Sequence, residues 1–374
     1  MQEDHGHRLA GCARPLCERY DTVLFDLDGV VYVGSEAVPG AREAIDAART
    51  AGMRPAFVTN NASRPPAQIA ERLRELGVRA EARDVVTSAQ AAARTVRRLV
   101  PEGAAVLVVG GDGLVEALAE HGLRAVTRMD QAPAAVVQGF SRDVGWRALA
   151  EAVAAVDAGL PWVASNLDAT LPTPRGRAPG NGQLVDVVAR TTGQRPWVAG
   201  KPERALFDET LLRVGGAHPL VVGDRLDTDI EGAVTCGLDS LLVLTGVTGV
   251  VELCRATPGA RPSYVSRDLR GLLVAHPDVR VDTARPSGPG RAAVAASCAG
   301  WSCQATESSQ AGDAQVSLTG SGDQDDAVRA LVSACWAYRD AAATAVRAEA
   351  IATAWRQAEL SAPAATVDQR AHEA

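Results

Sequence analysis

Asp21-Thr22-Val23-Leu24-Phe25-Asp26-Leu27-Asp28-Gly29 is a short apolar run of strand formers that ends in two acids and a glycine. An uninterrupted apolar run of this length predicts a strand buried on both faces, as in a parallel sheet, with the acids at its carboxyl end. Working outward, Pro39-Gly40 opens a helical stretch over 41–51, closed by Gly52, and a second strand follows from Arg54 to Thr59. Pro65 and Pro66 then start a helix whose apolar positions Ile69, Leu73 and Leu76 keep helical spacing before Gly77 stops it. Strand, helix, strand, helix is the pattern of an open parallel α/β sheet. The alternation resumes late, with Trp197 to Lys201, a helix from Pro202 to about Arg213, the strand Pro219–Gly223, a helix over Ile230 to Cys236 and the strand Ser240–Leu244.

Between the two halves, Asn61 and Lys201 stand 140 positions apart, where one crossover unit needs only about 30 residues. The excess predicts an inserted domain, itself α/β by its alternation. After about Asp282 the texture changes. Pro286-Ser287-Gly288-Pro289-Gly290 reads as a linker, and 325–360 as an alanine-rich helical region with Trp336 and Trp355. The expected organisation is a tail over 1–19, a core from 20–82 and 180–282, an insert over 83–179 and an accessory α+β domain over 285–374.

Four constellations fall where predicted strands end. Asp26 and Asp28 leave the first strand two residues apart, and Gly29 permits the turn that lets both carboxylates face one site. Neighbouring carboxylates in one pocket settle at different pKa values, so one can attack while the other moves protons. Read alone, the pair is equally a loop or a generic cation site. Thr59-Asn60-Asn61 ends the second strand and offers a hydroxyl and successive backbone N–H groups to phosphate oxygens. Gly200-Lys201-Pro202 fixes a lysine at a strand-to-helix junction, with Pro202 at the helix's first position. Gly223-Asp224-Arg225-Leu226-Asp227-Thr228-Asp229 places three acids after an apolar strand, a donor set suited to a hard cation. Four such sites, each at the end of a different strand of one open sheet, converge where such folds bind ligands.

In this order the motifs DLDGV, TNN, GKP and GDRLDTD resemble the four motifs of the haloacid dehalogenase superfamily. The insert between the second and third resembles the C2-type α/β cap of its class IIA, which includes phosphoglycolate, pyridoxal-phosphate, nitrophenyl-phosphate and nucleotide phosphatases. The resemblance covers residues 20 to about 275. It implies a Rossmann-like core and a Mg2+-dependent phosphatase acting on a small phosphorylated metabolite. It further implies Asp26 as nucleophile forming an aspartyl-phosphate, and Asp28 as acid and base. Thr59, Asn60, Asn61 and Lys201 would hold the phosphoryl group. Asp26, the Asp28 carbonyl and Asp224 would bind the metal, with Asp229 supporting its shell or orienting Lys201, and Lys201 would act catalytically by neutralising charge between Asp26 and the phosphoryl group. Family members that cleave carbon–halogen bonds lack an acid where Asp28 stands, so its presence favours phosphate esters.

Asn166, Asp168 and Leu171, followed by Pro179 to Gly182, resemble the cap's specificity segment. Leu171 falls where pyridoxal-phosphate phosphatases carry histidine; cap packing is the rival reading for this leucine. The cap and extension together resemble the actinobacterial glycerol 3-phosphate phosphatases, which makes glycerol 3-phosphate the leading substrate. Phosphoglycolate, a sugar phosphate or a nucleotide are the alternatives, and a catalytically idle binding or regulatory protein is the rival from another class. The extension in that group resembles an acetyltransferase. Here the pyrophosphate-binding pattern occurs at Arg285 to Gly290 with prolines at two positions that would need N–H groups, so acetyl transfer is not expected.

The whole chain agrees with this reading. At 374 residues it is long enough for more than one domain. Its 47% apolar and 22% charged residues are those of a globular protein. A net charge of −7 argues against nucleic-acid binding. No apolar run reaches the roughly 18 residues of a membrane span, and the polar N-terminus does not resemble a secretory signal. Seven scattered cysteines lack metal spacing and point to reduced thiols in a cytoplasm. Self-association into a homo-oligomer is left open.

Overall fold

The computed structural model describes residues 8–173, 175–284, 293–307 and 314–361. They fall into two units, one built from Arg14–Val247 with Ser266–Val274, the other from the described parts of Met1–Ala13, Thr248–Val265 and Ala275–Ala374.

The first unit contains two sheets. Strand Thr22–Phe25 is buried at every position and pairs in parallel with Arg54–Thr59 on one side and Pro219–Gly223 on the other. Asp239–Val243 and Val85–Thr87 extend the sheet in parallel beyond these two. Within this unit its strands run in the spatial order 239–243, 219–223, 22–25, 54–59, 85–87. The chain therefore winds outward from Thr22–Phe25 in both directions, which puts a topological switch point beside that strand, where open α/β sheets bind ligands.

The second sheet draws four strands from the insert and one from beyond it and is ordered 197–198, 162–164, 135–138, 105–109, 124–126, with all its pairs parallel. Helix Ser88–Leu99 joins the two. Its Ala89, Ala91, Ala92, Ala93 and Val96 belong to one apolar cluster that also takes Leu24, Val58 and Val86 of the core sheet and Val106, Val108, Val137 and Val163 of the cap sheet. Alanine on so many sides lets both layers approach the helix closely, as a core packed to crystal-like density requires.

Several boundaries differ from the sequence reading. Val85–Thr87 pairs with Phe57–Thr59 and so belongs to the core sheet. Helix Asn181–Thr192 packs Val185, Val188 and Ala189 with Leu107, Val136 and Trp162, and so covers the cap sheet. Nor is the segment before residue 20 merely a tail. Leu16 and Cys17 are buried in a short helix over Leu16–Arg19.

The second unit contains a four-stranded antiparallel sheet, 280–284, 293–298, 301–307 and 314–320. Its strands alternate as one-face burial demands: Trp301, Cys303 and Ala305 are buried, Ser302 and Gln304 exposed. The alanine-rich region forms two helices, Gln324–Ala342 and Ala348–Ser361, interrupted at Ala343, whose φ is +53°. Buried Trp336 donates its indole N–H to the Leu253 carbonyl at 2.8 Å. Arg261 lies over that indole at 5.1 Å and forks onto Asp340 through two bonds of 2.7 Å. Cys12 and His276 form an isolated antiparallel bridge in the same unit. The segment Arg285–Gly290 lies outside the described residues.

Candidate active site

The site is assembled from strand ends. Asp26 follows the central strand directly, its backbone N–H held by the Val222 carbonyl at 2.8 Å. Asp224 follows Pro219–Gly223, and Asp229 lies in the short helical turn Leu226–Ile230 just beyond. Carboxylate oxygens of Asp26, Asp224 and Asp229 lie within 4.8 Å of one another. The lysine comes from elsewhere. Strand Trp197–Val198 is the edge of the cap sheet, so Lys201 enters from the second sheet and not from the core sheet expected. Helix Arg204–Val214 begins two residues after Pro202, so this proline is not its first residue. Lys201 Nζ stands 2.5 Å from Asp26 Oδ1 and 2.6 Å from Asp229 Oδ1, with only 4% of its side chain exposed.

Such crowding of charge needs local help. Asp224 is fully buried, and its Oδ2 accepts from the Val247 N–H at 2.6 Å. Its Oδ1 is buried with no hydrogen-bond partner. An orphaned carboxylate oxygen beside two further carboxylates is a donor set a hard divalent cation fits. Two glycines leave room for the Asp224 carboxylate. A Cβ at Gly246 would fall 1.9 Å from Asp224 Oδ2, and one at Gly29, where φ is +91°, would fall 2.5 Å from the same atom. Thr245 Oγ1 also donates to the Gly29 carbonyl at 2.5 Å. The loop 245–247 was missed by the sequence reading. Its signal was there: it follows strand Asp239–Val243 just as the other motifs follow theirs.

The electrostatics agree with the geometry. Burial drives the Asp26 carboxyl well up, and repulsion from Asp229 and Asp224 adds to this against the pull of Lys201. Burial, then Asp229, pushes Asp224 up to about 6. Lys201 is raised despite burial, because Asp229 and Asp26 hold its proton. Asp28 opens to solvent, yet the protein around it raises its carboxyl, with Lys201 and Arg64 pulling the other way. Arg64 is exposed, three residues beyond Asn61, and was not singled out in the sequence.

The remaining sequence candidates divide. Thr59 is buried and its Oγ1 accepts from the Asn61 N–H at 3.1 Å. The Asn61 side chain is exposed and turned to Ser63, accepting from its N–H and hydroxyl at 2.9 and 2.6 Å. Asn166 is buried, donating to the Asn60 carbonyl at 2.7 Å. Asp168 accepts from Asn60 Nδ2 at 3.2 Å. Leu171 lies in the cap hairpin Thr170–Thr173 and Gly176–Pro179, partly exposed.

Comparison with known proteins places this geometry. Residues 23–124 match the haloacid dehalogenase-like hydrolase family, and residues 198–272 match a second model of the same kind. A D-glycerol 3-phosphate phosphatase from Mycobacterium tuberculosis is 42% identical over 337 residues, covering 88% of this chain and 89% of that one. The chain belongs to the haloacid dehalogenase-like hydrolases. Among solved structures, a glycerol phosphate phosphatase from Mycobacterium tuberculosis in complex with magnesium matches with a TM-score of 0.74 at 42% identity, covering 86% of this chain and 92% of that one. A p-nitrophenyl phosphatase from Archaeoglobus fulgidus matches with a TM-score of 0.63 at 30% identity, covering 68% of this chain and 98% of that one. An acid sugar phosphatase from Staphylococcus aureus, 36% identical, likewise covers 68% of this chain. The mycobacterial hydrolase reaches further along the chain than these two. Asp26 and Asp28 lie within the first matched span, and Lys201, Asp224 and Asp229 within the second.

Proposed function

We propose that the chain is a Mg2+-dependent phosphomonoesterase and that its substrate is glycerol 3-phosphate. The observation that carries the chemistry is the contact of Lys201 with both Asp26 and Asp229 beside the orphaned oxygen of Asp224. A phosphate dianion meets a carboxylate only where positive charge offsets the repulsion. Asp26, the Asp28 carbonyl, Asp224 and Asp229 would hold Mg2+, which when bound supplies charge to the phosphoryl oxygens. Thr59 and the Asn60 and Asn61 backbone would hold the same oxygens, and Lys201 neutralises the encounter.

The steps belong to the two acids. An Asp26 oxygen forms a bond to phosphorus while the ester oxygen leaves, and Asp28 gives that oxygen its proton, releasing the alcohol. Asp28, now a carboxylate, takes a proton from water as the water oxygen attacks phosphorus. The Asp26–phosphorus bond breaks, inorganic phosphate leaves and Asp28 is again protonated. A carboxyl raised by its surroundings suits the acid role Asp28 takes first.

Similarity to the mycobacterial enzyme over most of both chains supports glycerol 3-phosphate as substrate. We place the reaction in the cytoplasm because all seven cysteines are free; among the described residues no helix is long and apolar enough to cross a membrane. With Mg2+ present, kcat/KM for glycerol 3-phosphate should exceed that for phosphoglycolate, glucose 6-phosphate and AMP by at least about tenfold. Preference for another ester ends the substrate assignment, and no phosphate release from any ester ends the enzyme assignment.

Metal should also report on folding. The Asp224 pKa is raised in the folded state, so its contribution to metal-free stability is full at low pH and is lost as pH rises through about 6. A cation binding the folded state alone adds about 2.7 kcal/mol at a hundred times its Kd. Thermal melts should therefore show Mg2+ raising Tm by several degrees at pH 7.5 and by less at pH 5. Equal shifts at both values would contradict the placement of the cation on these acids.

A further inference from the structure

The carboxamide of Asn60 is committed to the lysine. Its Oδ1 accepts from the Lys201 backbone N–H at 2.8 Å, and its Nδ2 donates to the Lys201 carbonyl at 3.2 Å. An amide that grips both backbone groups of one residue fixes that residue's position and tilt together. The Ala199 N–H to the Ala164 carbonyl at 2.9 Å and the Glu203 N–H to the Gly200 carbonyl at 3.0 Å hold the neighbours of Lys201, while its own N–H and carbonyl, between the strand end at Val198 and the helix start at Arg204, are held by Asn60. The approach is close. A Cβ on Gly200 would fall 2.6 Å from Asn60 Oδ1 and 2.4 Å from the Ser165 carbonyl.

The clamp is itself held from the cap. Asn60 Nδ2 also reaches Asp168 Oδ1 at 3.2 Å. The Asp168 N–H donates to Asn166 Oδ1 at 3.1 Å, and Asn166 Nδ2 returns to the Asn60 carbonyl at 2.7 Å. Ser88 Oγ donates to that carbonyl at 2.6 Å. Asn60 is 9% exposed, so these bonds compete with little water.

We infer that the Asn60 side chain is a positioning residue: it sets the Lys201 backbone so that Nζ stands between Asp26 and Asp229, and Asp168 of the cap segment keeps the carboxamide turned for that task. This rests on the phosphatase reading. Asp168 thereby acts through Asn60 as well as lying in the segment first read as substrate-binding. Asp168 of the cap segment is thus tied to the reacting lysine through the Asn60 carboxamide.

The test is hydrolysis of p-nitrophenyl phosphate with saturating Mg2+, reading kcat and KM separately, with melting curves for every variant. Asn60→Ala should lower kcat by about ten- to a hundredfold, the usual scale for a group that orients a functional side chain, with a much smaller change in KM. Asn60→Asp keeps the acceptor for the Lys201 N–H but loses the donor to the Lys201 carbonyl and sets carboxylate against carboxylate at Asp168, and kcat should fall as far. Adding Asp168→Asn to Asn60→Asp exchanges donor and acceptor across that contact and should restore the part of kcat that the Asp168 contact carries, several-fold over Asn60→Asp, while the missing donor to the Lys201 carbonyl keeps the double variant below wild type. The inference is overturned if folded Asn60→Ala keeps kcat within about threefold, if the loss is carried by KM, or if the double variant is no faster than Asn60→Asp. Should Asn60→Ala fail to fold, the Asn60→Asp and double-variant comparison decides alone. A wild-type chain that releases no p-nitrophenol would instead overturn the phosphatase reading beneath it.

Discussion

An Asp26→Asn chain is expected to lose at least about 10^4-fold in Mg2+-dependent phosphate release, a loss on the scale seen when a reacting group is removed from an enzyme. Asparagine matches the shape of aspartate but offers an amide, which does not attack phosphorus to give a hydrolysable phosphoanhydride. The fold should survive for a reason visible in the charge. Three carboxylates lie within 4.8 Å of one another and only Lys201 among the described residues forms an ion pair with them. Burial already drives Asp26 upward, and repulsion from Asp229 and Asp224 adds to it. Neutralising one of the three relieves that repulsion, while Lys201 keeps its 2.6 Å bond to Asp229. The metal-free variant should therefore melt no lower than wild type, while Mg2+ stabilises it less. The paired measurement is phosphate release beside a melt at pH 7.5. Activity near wild type would remove Asp26 as nucleophile, and a collapsed melt would make Asp26 a structural residue.

The core of this arrangement was legible because a buried parallel strand announces itself. Leu24-Phe25 running into Asp26, and Val221-Val222 into Asp224, are apolar runs stopped by acids, and the sheet places both at one edge. Lys201 was legible as a residue but not in its position. Trp197–Val198 pairs over only two residues, too few to show which of two sheets it joins. The Val247 N–H that holds Asp224 left no trace because a backbone donor has no side-chain signature. Asn60 carried the opposite ambiguity. An asparagine after a strand offers both a backbone N–H and a carboxamide, and nothing local says that the carboxamide reaches a residue 141 positions away. The same limit explains the boundaries. Helix Asn181–Thr192 has an apolar face in sequence, but only the fold shows that the face lies on the cap sheet. The fold class, by contrast, followed from alternation alone, since strands spaced by helices leave few arrangements other than parallel sheets.

Lys201→Met is expected to weaken both chemistry and folding, and the two losses separate cleanly. Methionine has nearly the length of lysine and no charge. Removing a preorganised donor from charge that develops in the transition state costs about 10^2- to 10^3-fold in kcat, and KM should rise as well, because the phosphate dianion then faces the carboxylates without the ammonium. Folding suffers because the side chain is 4% exposed and its partners are a 12% exposed Asp26 and a 1% exposed Asp229. Breaking a buried pair by removing one partner costs about 3–5 kcal/mol, since the other charge is left uncompensated. That cost should be largest without metal and partly reversed by Mg2+, which brings positive charge to the same oxygens. Lys201→Arg separates charge from shape. It restores the positive charge, and so much of the metal-free stability, but a planar guanidinium does not fit a point contact 2.5 Å from one carboxylate and 2.6 Å from another. Stability should therefore return further than kcat. If Lys201→Met keeps kcat within about tenfold of wild type, a value below the range for such a donor, Lys201 serves the cluster as a structural counter-charge and takes no part in the transfer.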